Sequence, residues 1–215
     1  IENYTPRVMD KFGLGFDILR EIKPDIIMIS LPGFGSDVTW RDYVAFGMST
    51  EQMSGLAHLT GYKDDGPLFT GTTGGDIYSG AMGAHLVLAA LHDRRTSGTG
   101  QHINLSQAEA CNLYVGDAMT GLSLTGVDPG RRGNGHTLFA PQGMYPCRND
   151  RWIGISCRTD EEWRSLAGLI DADLVARYPD VKARQTKELD DTIRDWTLGH
   201  DADALMSDLQ GLGIA

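Results

Sequence analysis

The stretch KPDIIMISLPGFGS, residues 23–36, decides how this sequence is read. Its centre, Asp25 to Leu31, is a short run rich in isoleucine, of the kind a buried parallel strand uses because both of its faces are covered. It stops at Pro32, and Gly33-Phe34-Gly35 permits a sharp turn close to a ligand. Open α/β sheets bind ligands at such strand ends. As a phosphate loop on its own, the motif is weak. The expected fold class is therefore α/β, and 27 glycines in 215 residues fit a chain with many tight loops.

Upstream lies ENYTPRVMDKFGLG, residues 2–15, with Arg7 and Lys11 one helical turn apart. Downstream, STEQMSGLAHLTG predicts a helix that opens with a Ser49/Gln52 capping box and stops at Gly61. The segment TGTTGGDIYSGAMGAHLVLAALHDRR, residues 70–95, predicts a long helix buried on most sides. Asp76 stands at its head, behind Thr72-Thr73-Gly74-Gly75. Thr73 and Asp76 have capping-box spacing, and a carboxylate in a first turn gains typically ~0.3–1 kcal/mol from the helix dipole. The same anchoring would also hold a carboxylate rigid and oriented, which is what a nucleophile needs. Both readings stay open on these residues alone.

HINLS, from His102, reads as a second short strand, and Ser106 with Glu109 caps a helix toward Leu122. Gly, Pro and basic residues from Gly126 to Gly135 mark a boundary, where Arg131 and Arg132 could grip an anion, although most such loops are merely solvated. GMYPCRNDRWIGISC then predicts a hairpin turning at Asn149-Asp150. Thr159 with Glu162 caps a helix whose apolar side carries Trp163, Leu166, Leu169 and Ile170, and two amphipathic helices follow at 188–198 and 202–209. The expected organisation is a first domain over 1–125, a linker over 126–140 and a smaller α+β domain over 141–215.

A net charge of −10 argues against nucleic acid as a partner, since phosphates would be repelled. The longest apolar run, near Leu86 to Leu91, is too short for a bilayer, so no membrane association is expected. Cys111, Cys147 and Cys157 are scattered and odd in number, which suits a reducing compartment and a cytoplasmic setting. Neither they nor the six histidines have metal-ligand spacing, so no metal is expected. The chain starts at Ile1 without methionine and stops on GLGIA, so it reads as a piece of something longer.

In order, ENYTPRVMDKFGLG, KPDIIMISLPGFG, MSGLAHLTG, GGDIYSGAMGAHLVLAAL, TGTGQHINLSQAEA and APQGMYPCRNDRWIGIS resemble the class III CoA-transferases, the group of formyl-CoA and carnitine CoA-transferases, with alpha-methylacyl-CoA racemase a relative. The resemblance covers essentially the whole chain. It implies part of a nucleotide-fold (Rossmann-like) domain followed by the smaller domain, in an interlocked, ring-like homodimer. It implies an acyl-CoA and a carboxylic acid acceptor as substrates, with CoA thioester as substrate and no tightly bound cofactor. Asp76 with Gly80 matches the family's D-x-x-x-G segment, which makes Asp76 the expected nucleophile. Asn3, Tyr4, Arg7, Lys11 and Phe12 fall on or just after the family's CoA-binding segment. Gly33, Phe34, Gly35, Phe46 and Gly47 fall on the loops around the acyl site.

Two departures matter. The formyl-CoA transferase pattern has a glutamate where this chain has Gly47, and the racemase pattern has a histidine base where it has Phe46. Racemisation needs a proton to leave and return at the carbon alpha to the thioester, and Phe46 supplies no base for it. An acyl-CoA racemase or epimerase remains one alternative, and a non-catalytic CoA-binding protein with Asp76 as a helix cap the other.

Overall fold

A computed structural model describes all 215 residues. The chain divides into two compact units, Ile1–Arg131 and Arg132–Ala215.

The first unit begins with α1 (Pro6–Lys11) and α2 (Phe16–Ile22), then β1 (Ile27–Ser30). Helices α3 (Gly47–Met53), α4 (Leu56–Leu59) and α5 (Gly74–Ser97) intervene before β2 (Gln101–Asn104), and α6 (Gln107–Asn112) and α7 (Gly116–Thr125) close the unit. β1 and β2 pair in parallel, Ile27 opposite Gln101 through Ser30 opposite Asn104. Parallel neighbours need a crossover connection, and α3–α5 supply it. Glu2 extends the sheet on the other side of β1: its amide donates to Ile29 O (3.0 Å), and its carbonyl accepts from Leu31 N (2.9 Å).

α5 lies against this small sheet through Gly83, where a Cβ would stand 3.1 Å from Ile29 Cδ1 and 3.4 Å from Leu31 Cδ2. The helix is not buried on most sides as its apolar sequence predicts. Its buried residues are Gly74, Gly75, Ser79, Gly83 and Ala90, while Ile77 and Leu88 are more than half exposed. The sheet, α3 and α6 cover one side of it and leave the rest to solvent. The helix predicted over 49–60 also differs. It starts at Gly47, and Gly55, at φ +86°, breaks it into α3 and α4. The helix opened by Ser106 is likewise interrupted, at 113–115.

In the second unit, β3 (Gln142–Pro146) and β4 (Trp152–Ser156) form an antiparallel hairpin. Its turn holds Asn149 and Asp150 at positive φ, a conformation these two residue types tolerate. α8 (Asp160–Ile170), α9 (Leu174–Arg177), α10 (Val181–Arg184), α11 (Lys187–Thr197) and α12 (Ala202–Gly211) follow. Thr159 and Glu162 form the predicted capping box, each side chain accepting from the other residue's amide. Trp163, Leu166, Leu189, Ile193 and Leu205 meet the hairpin's Tyr145, Ile153 and Ile155 in the core. Leu169, predicted on the apolar side of α8, is 45 % exposed, because the buried stripe runs through 163, 166, 167 and 170 instead. Burial pushes the Cys157 thiol up to about 12, and all three cysteines are free and buried. No helix is long and apolar enough to cross a membrane.

Candidate active site

The first turn of α5 is seated on α3 by three successive residues. A Cβ on Gly74 would come within 2.9 Å of Glu51 Oε1, and one on Gly75 would overlap Thr50 Oγ1. One on Gly47 would stand 2.7 Å from Asp76 Oδ2. Contacts under 3.0 Å are essentially never made by real Cβ atoms, so the glycines at 47, 74 and 75 are what let the two helices close to this distance. Thr50 Oγ1 donates to Gly47 O (2.8 Å), which ties α3's own first turn into the seat.

Asp76 occupies the third position of α5, and its amide donates to Thr73 O (2.9 Å). Its carboxylate is exposed, with no hydrogen bond or ion pair. The Thr73/Asp76 capping box read from the sequence does not form. Thr73 sits in the left-handed region (φ +51°, ψ +49°), and its hydroxyl turns to Thr72 O (2.7 Å) rather than to the helix amides. The capping box read at Ser49/Gln52 does not form either. Ser49 is already inside α3, and its hydroxyl accepts from Phe46 N at 3.5 Å.

Glu51 performs the capping instead. This fully buried side chain accepts from Gly74 N, the first amide of α5, through Oε1. Oε1 also accepts from Thr70 Oγ1 (2.8 Å), and Oε2 accepts from Thr70 N (3.0 Å). Burial would push its pKa up, but the hydrogen bonds from Thr70 and Gly74 outweigh this and hold the carboxyl below its ordinary value. The Cys111 thiol lies close to the same cluster. Burial raises its pKa, and hydrogen bonding with Ser54 and Thr50 offsets only part of that. Sequence reading missed Glu51. The available signal was a charged residue in line with Gly47, Thr50 and Ser54, at helical spacing on the face of α3 that proves buried.

Gly33 and the turn after β1 reach this region through Ala45, since a Cβ on Gly33 would meet Ala45 Cβ at 2.6 Å. Phe34 is buried, framed edge-on by Trp40 (5.8 Å between ring centres) and Tyr43 (6.4 Å). Gly35 takes φ +91° beside Ser106. The loop's carbonyls are pinned by the start of α6, with Gln107 N on Pro32 O and Ala108 N on Gly33 O, both at 3.0 Å. Phe46, 73 % exposed, directly precedes Gly47. Packing therefore joins Gly33, Phe34, Phe46, Gly47 and Asp76 into one locality.

Asn3, Tyr4, Arg7, Lys11 and Phe12 form a second group, all exposed. The Glu2–Ser30 bridge puts Asn3 and Tyr4 at the C-terminal end of β1, the edge from which Leu31 to Gly35 also emerges. That is the edge where open α/β sheets take ligands. Arg131 turns much of its guanidinium to the backbone: Nε donates to the carbonyls of Tyr62 and Asp65 and Nη1 to that of His58.

A parallel strand pair, the glycine loop that follows it and a free carboxylate at a helix start thus lie in one α/β unit, at the strand end where such sheets take ligands. The comparisons agree on its family. The sequence model of CoA-transferase family III matches residues 1–215, and the chain belongs to that family. It is 32 % identical over 219 residues to the succinyl-CoA–D-citramalate CoA-transferase of Chloroflexus aurantiacus, matching 100 % of this chain and 54 % of that protein. It is 31 % identical over 179 residues to the acetyl-CoA:oxalate CoA-transferase of Acetobacter aceti, covering 83 % of this chain and 46 % of the relative. The crystal structure of a CaiB/BaiF family protein from Brucella suis superposes with a TM-score of 0.88 at 26 % identity, covering 99 % of this chain and 57 % of that one. The chain thus spans about half the length of these relatives.

Proposed function

We propose that the protein moves coenzyme A from an acyl-CoA to a carboxylic acid, with Asp76 as the nucleophile. The observation that carries this reading is the division of labour at α5: Glu51 caps the helix, and the Asp76 carboxylate is left free and exposed in its first turn. A carboxylate serving as the cap would be bonded to the helix amides.

In the proposed reaction Asp76 attacks the thioester carbonyl and the C–S bond breaks, giving a mixed anhydride and CoA thiolate. The thiolate attacks the aspartyl carbonyl, expels the donor acid and leaves an aspartyl-CoA thioester. The acceptor carboxylate attacks that carbonyl to form a second anhydride with release of CoA thiolate. The thiolate then attacks the acceptor's acyl carbon, frees Asp76 and departs as the new acyl-CoA. Each step exchanges one activated acyl bond for another, so no external energy source is needed. In this reading Arg7 and Lys11, both exposed, would meet CoA phosphates through charge-assisted hydrogen bonds, and Tyr4 would offer a stacking surface for adenine. The glycine loop at 33–35 and Phe46 would border the acyl group. Relatives named for succinyl-CoA, citramalate and oxalate point to short carboxylic acids as the substrate class. A Rossmann-like CoA domain and an interlocked homodimer complete this reading, in a cytoplasmic enzyme.

The test incubates the full-length protein with a panel of acyl-CoAs and hydroxylamine, then maps adducts by mass spectrometry. A hydroxamate on Asp76 is expected. Asp76→Ala should lose turnover by about 10³-fold or more while costing only ~0.3–1 kcal/mol of stability. Absence of any adduct, with solvent deuterium entering the alpha carbon of a bound acyl-CoA, would instead make the protein a racemase or epimerase.

A further inference from the structure

We infer that Glu51 is a positioning residue for Asp76: by accepting from Gly74 N, Thr70 N and Thr70 Oγ1 it replaces the missing cap of α5 and fixes where the first turn presents the nucleophile. This rests on the reading of Asp76 above.

α5 has no cap of its own, since Thr73 is turned away by its left-handed backbone and no side chain next to it accepts from the first amides. A helix start without an acceptor frays, because its first four N–H groups have no partner inside the helix. Glu51 supplies that acceptor from 23 residues upstream. Because it stands on α3, the same carboxylate fastens two helices together at the point where Gly47 touches Asp76. Its second oxygen holds Thr70 N, so both ends of the loop 70–74, which leads into the nucleophile's turn, are tied to one buried group. A buried carboxylate with three donors is a rigid anchor, since leaving any of them unpaired is costly. The Asp76 carboxylate has no hydrogen bond to orient it, so its direction depends on the backbone beneath it. Misplacing a reacting group by about 1 Å costs on the order of 10²-fold in rate.

Glu51→Gln keeps the volume and one acceptor oxygen, so it weakens the anchor without emptying the site. Three readouts are taken on the full-length protein: amide hydrogen exchange over residues 70–76, CoA affinity, and the rate of Asp76 hydroxamate formation. The expected result is faster exchange over 70–76, unchanged CoA affinity and adduct formation slowed by about tenfold to a hundredfold. Unchanged exchange over 70–76 overturns the proposal, whatever happens to the rate. Loosened exchange with an unchanged adduct rate also overturns it, because Glu51 would then support the fold alone. If the wild-type protein forms no adduct with any acyl-CoA it binds, the nucleophile reading itself fails, and the positioning role falls with it.

Discussion

Gly47→Ala tests the geometry of the seat most directly. The new methyl carbon would lie 2.7 Å from Asp76 Oδ2, 2.8 Å from Thr73 Cβ and 3.0 Å from Thr73 O, where ordinary contact begins near 3.4 Å. Relief at the carboxylate therefore needs a movement of about 0.7 Å. The carboxylate alone could swing away, but Thr73 O belongs to the backbone and accepts the Asp76 amide, so the turn itself must yield. Overpacking of this kind costs about 1–3 kcal/mol, offset by up to ~1 kcal/mol because alanine favours a helix over glycine. The net loss of stability is thus about 0–3 kcal/mol, which at about 2–4 °C per kcal/mol lowers the unfolding temperature by up to about 12 °C. Rate should fall as well, even at temperatures where the variant stays folded: a displacement approaching 1 Å slows Asp76 acylation by roughly 10–100-fold. The assay pairs thermal unfolding with the rate of hydroxamate formation at saturating acyl-CoA. Gly75→Ala is the control of opposite character, since its methyl would overlap Thr50 Oγ1 and force α3 and α5 apart, so stability should fall first. A Gly47→Ala protein that acylates at the wild-type rate would refute the contact between the two residues as a determinant of reactivity.

Two further outcomes follow from the same turn. Thr73 is a β-branched residue held at φ +51°, a conformation that costs a non-glycine residue about 1–2 kcal/mol; Thr73→Gly should therefore keep or slightly raise stability in urea titrations, yet slow acylation several-fold by loosening the turn, and a variant both stable and fully active would show the strain to be idle. Glu51 has a depressed pKa, so its contribution to stability is fully present above its ordinary value of 4.5 and is lost as pH falls through the folded value. The stability deficit of Glu51→Gln should accordingly be greatest near pH 7 and shrink in acid, and a deficit constant from about pH 7 to 3 would remove the ionised anchor from the account.

The parts of this structure legible in the sequence are those that depend on near neighbours in the chain. β1 follows from the isoleucine run before PGFG, and the turn at Asn149-Asp150 from two residues that accept positive φ. The caps at Ser106 and Thr159 follow from a hydroxyl three residues before a glutamate. The same rule failed at Ser49 and Thr73, where packing between α3 and α5 overrides it. Gly47 lets α3 begin one turn earlier than Ser49 indicates, and Thr73 adopts a backbone that aims its hydroxyl away from the helix. The apolar length of α5 was legible too, but not its exposure, because apolar composition does not say which neighbours are present to cover it.

The departure at Gly47 then acquires a physical sense. Where the formyl-CoA transferase pattern resembled by this sequence has a glutamate, this chain has no side chain, and the space a Cβ would need lies against Asp76. Positions 47 and 51 are four apart on α3 and so share one face of that helix. The chain thus keeps a carboxylate on the face turned toward Asp76, but one helical turn further along. There it is buried, ionised and committed to the amides that start α5. Both oxygens of this buried glutamate are engaged, Oε1 by two donors and Oε2 by one, so it could not swing toward a carbonyl attacked by Asp76 without giving up the amides it holds. Its contribution must therefore pass through the backbone of the turn carrying Asp76, which is why exchange at the amides of residues 70–76, rather than a pH–rate profile, reads that contribution most directly.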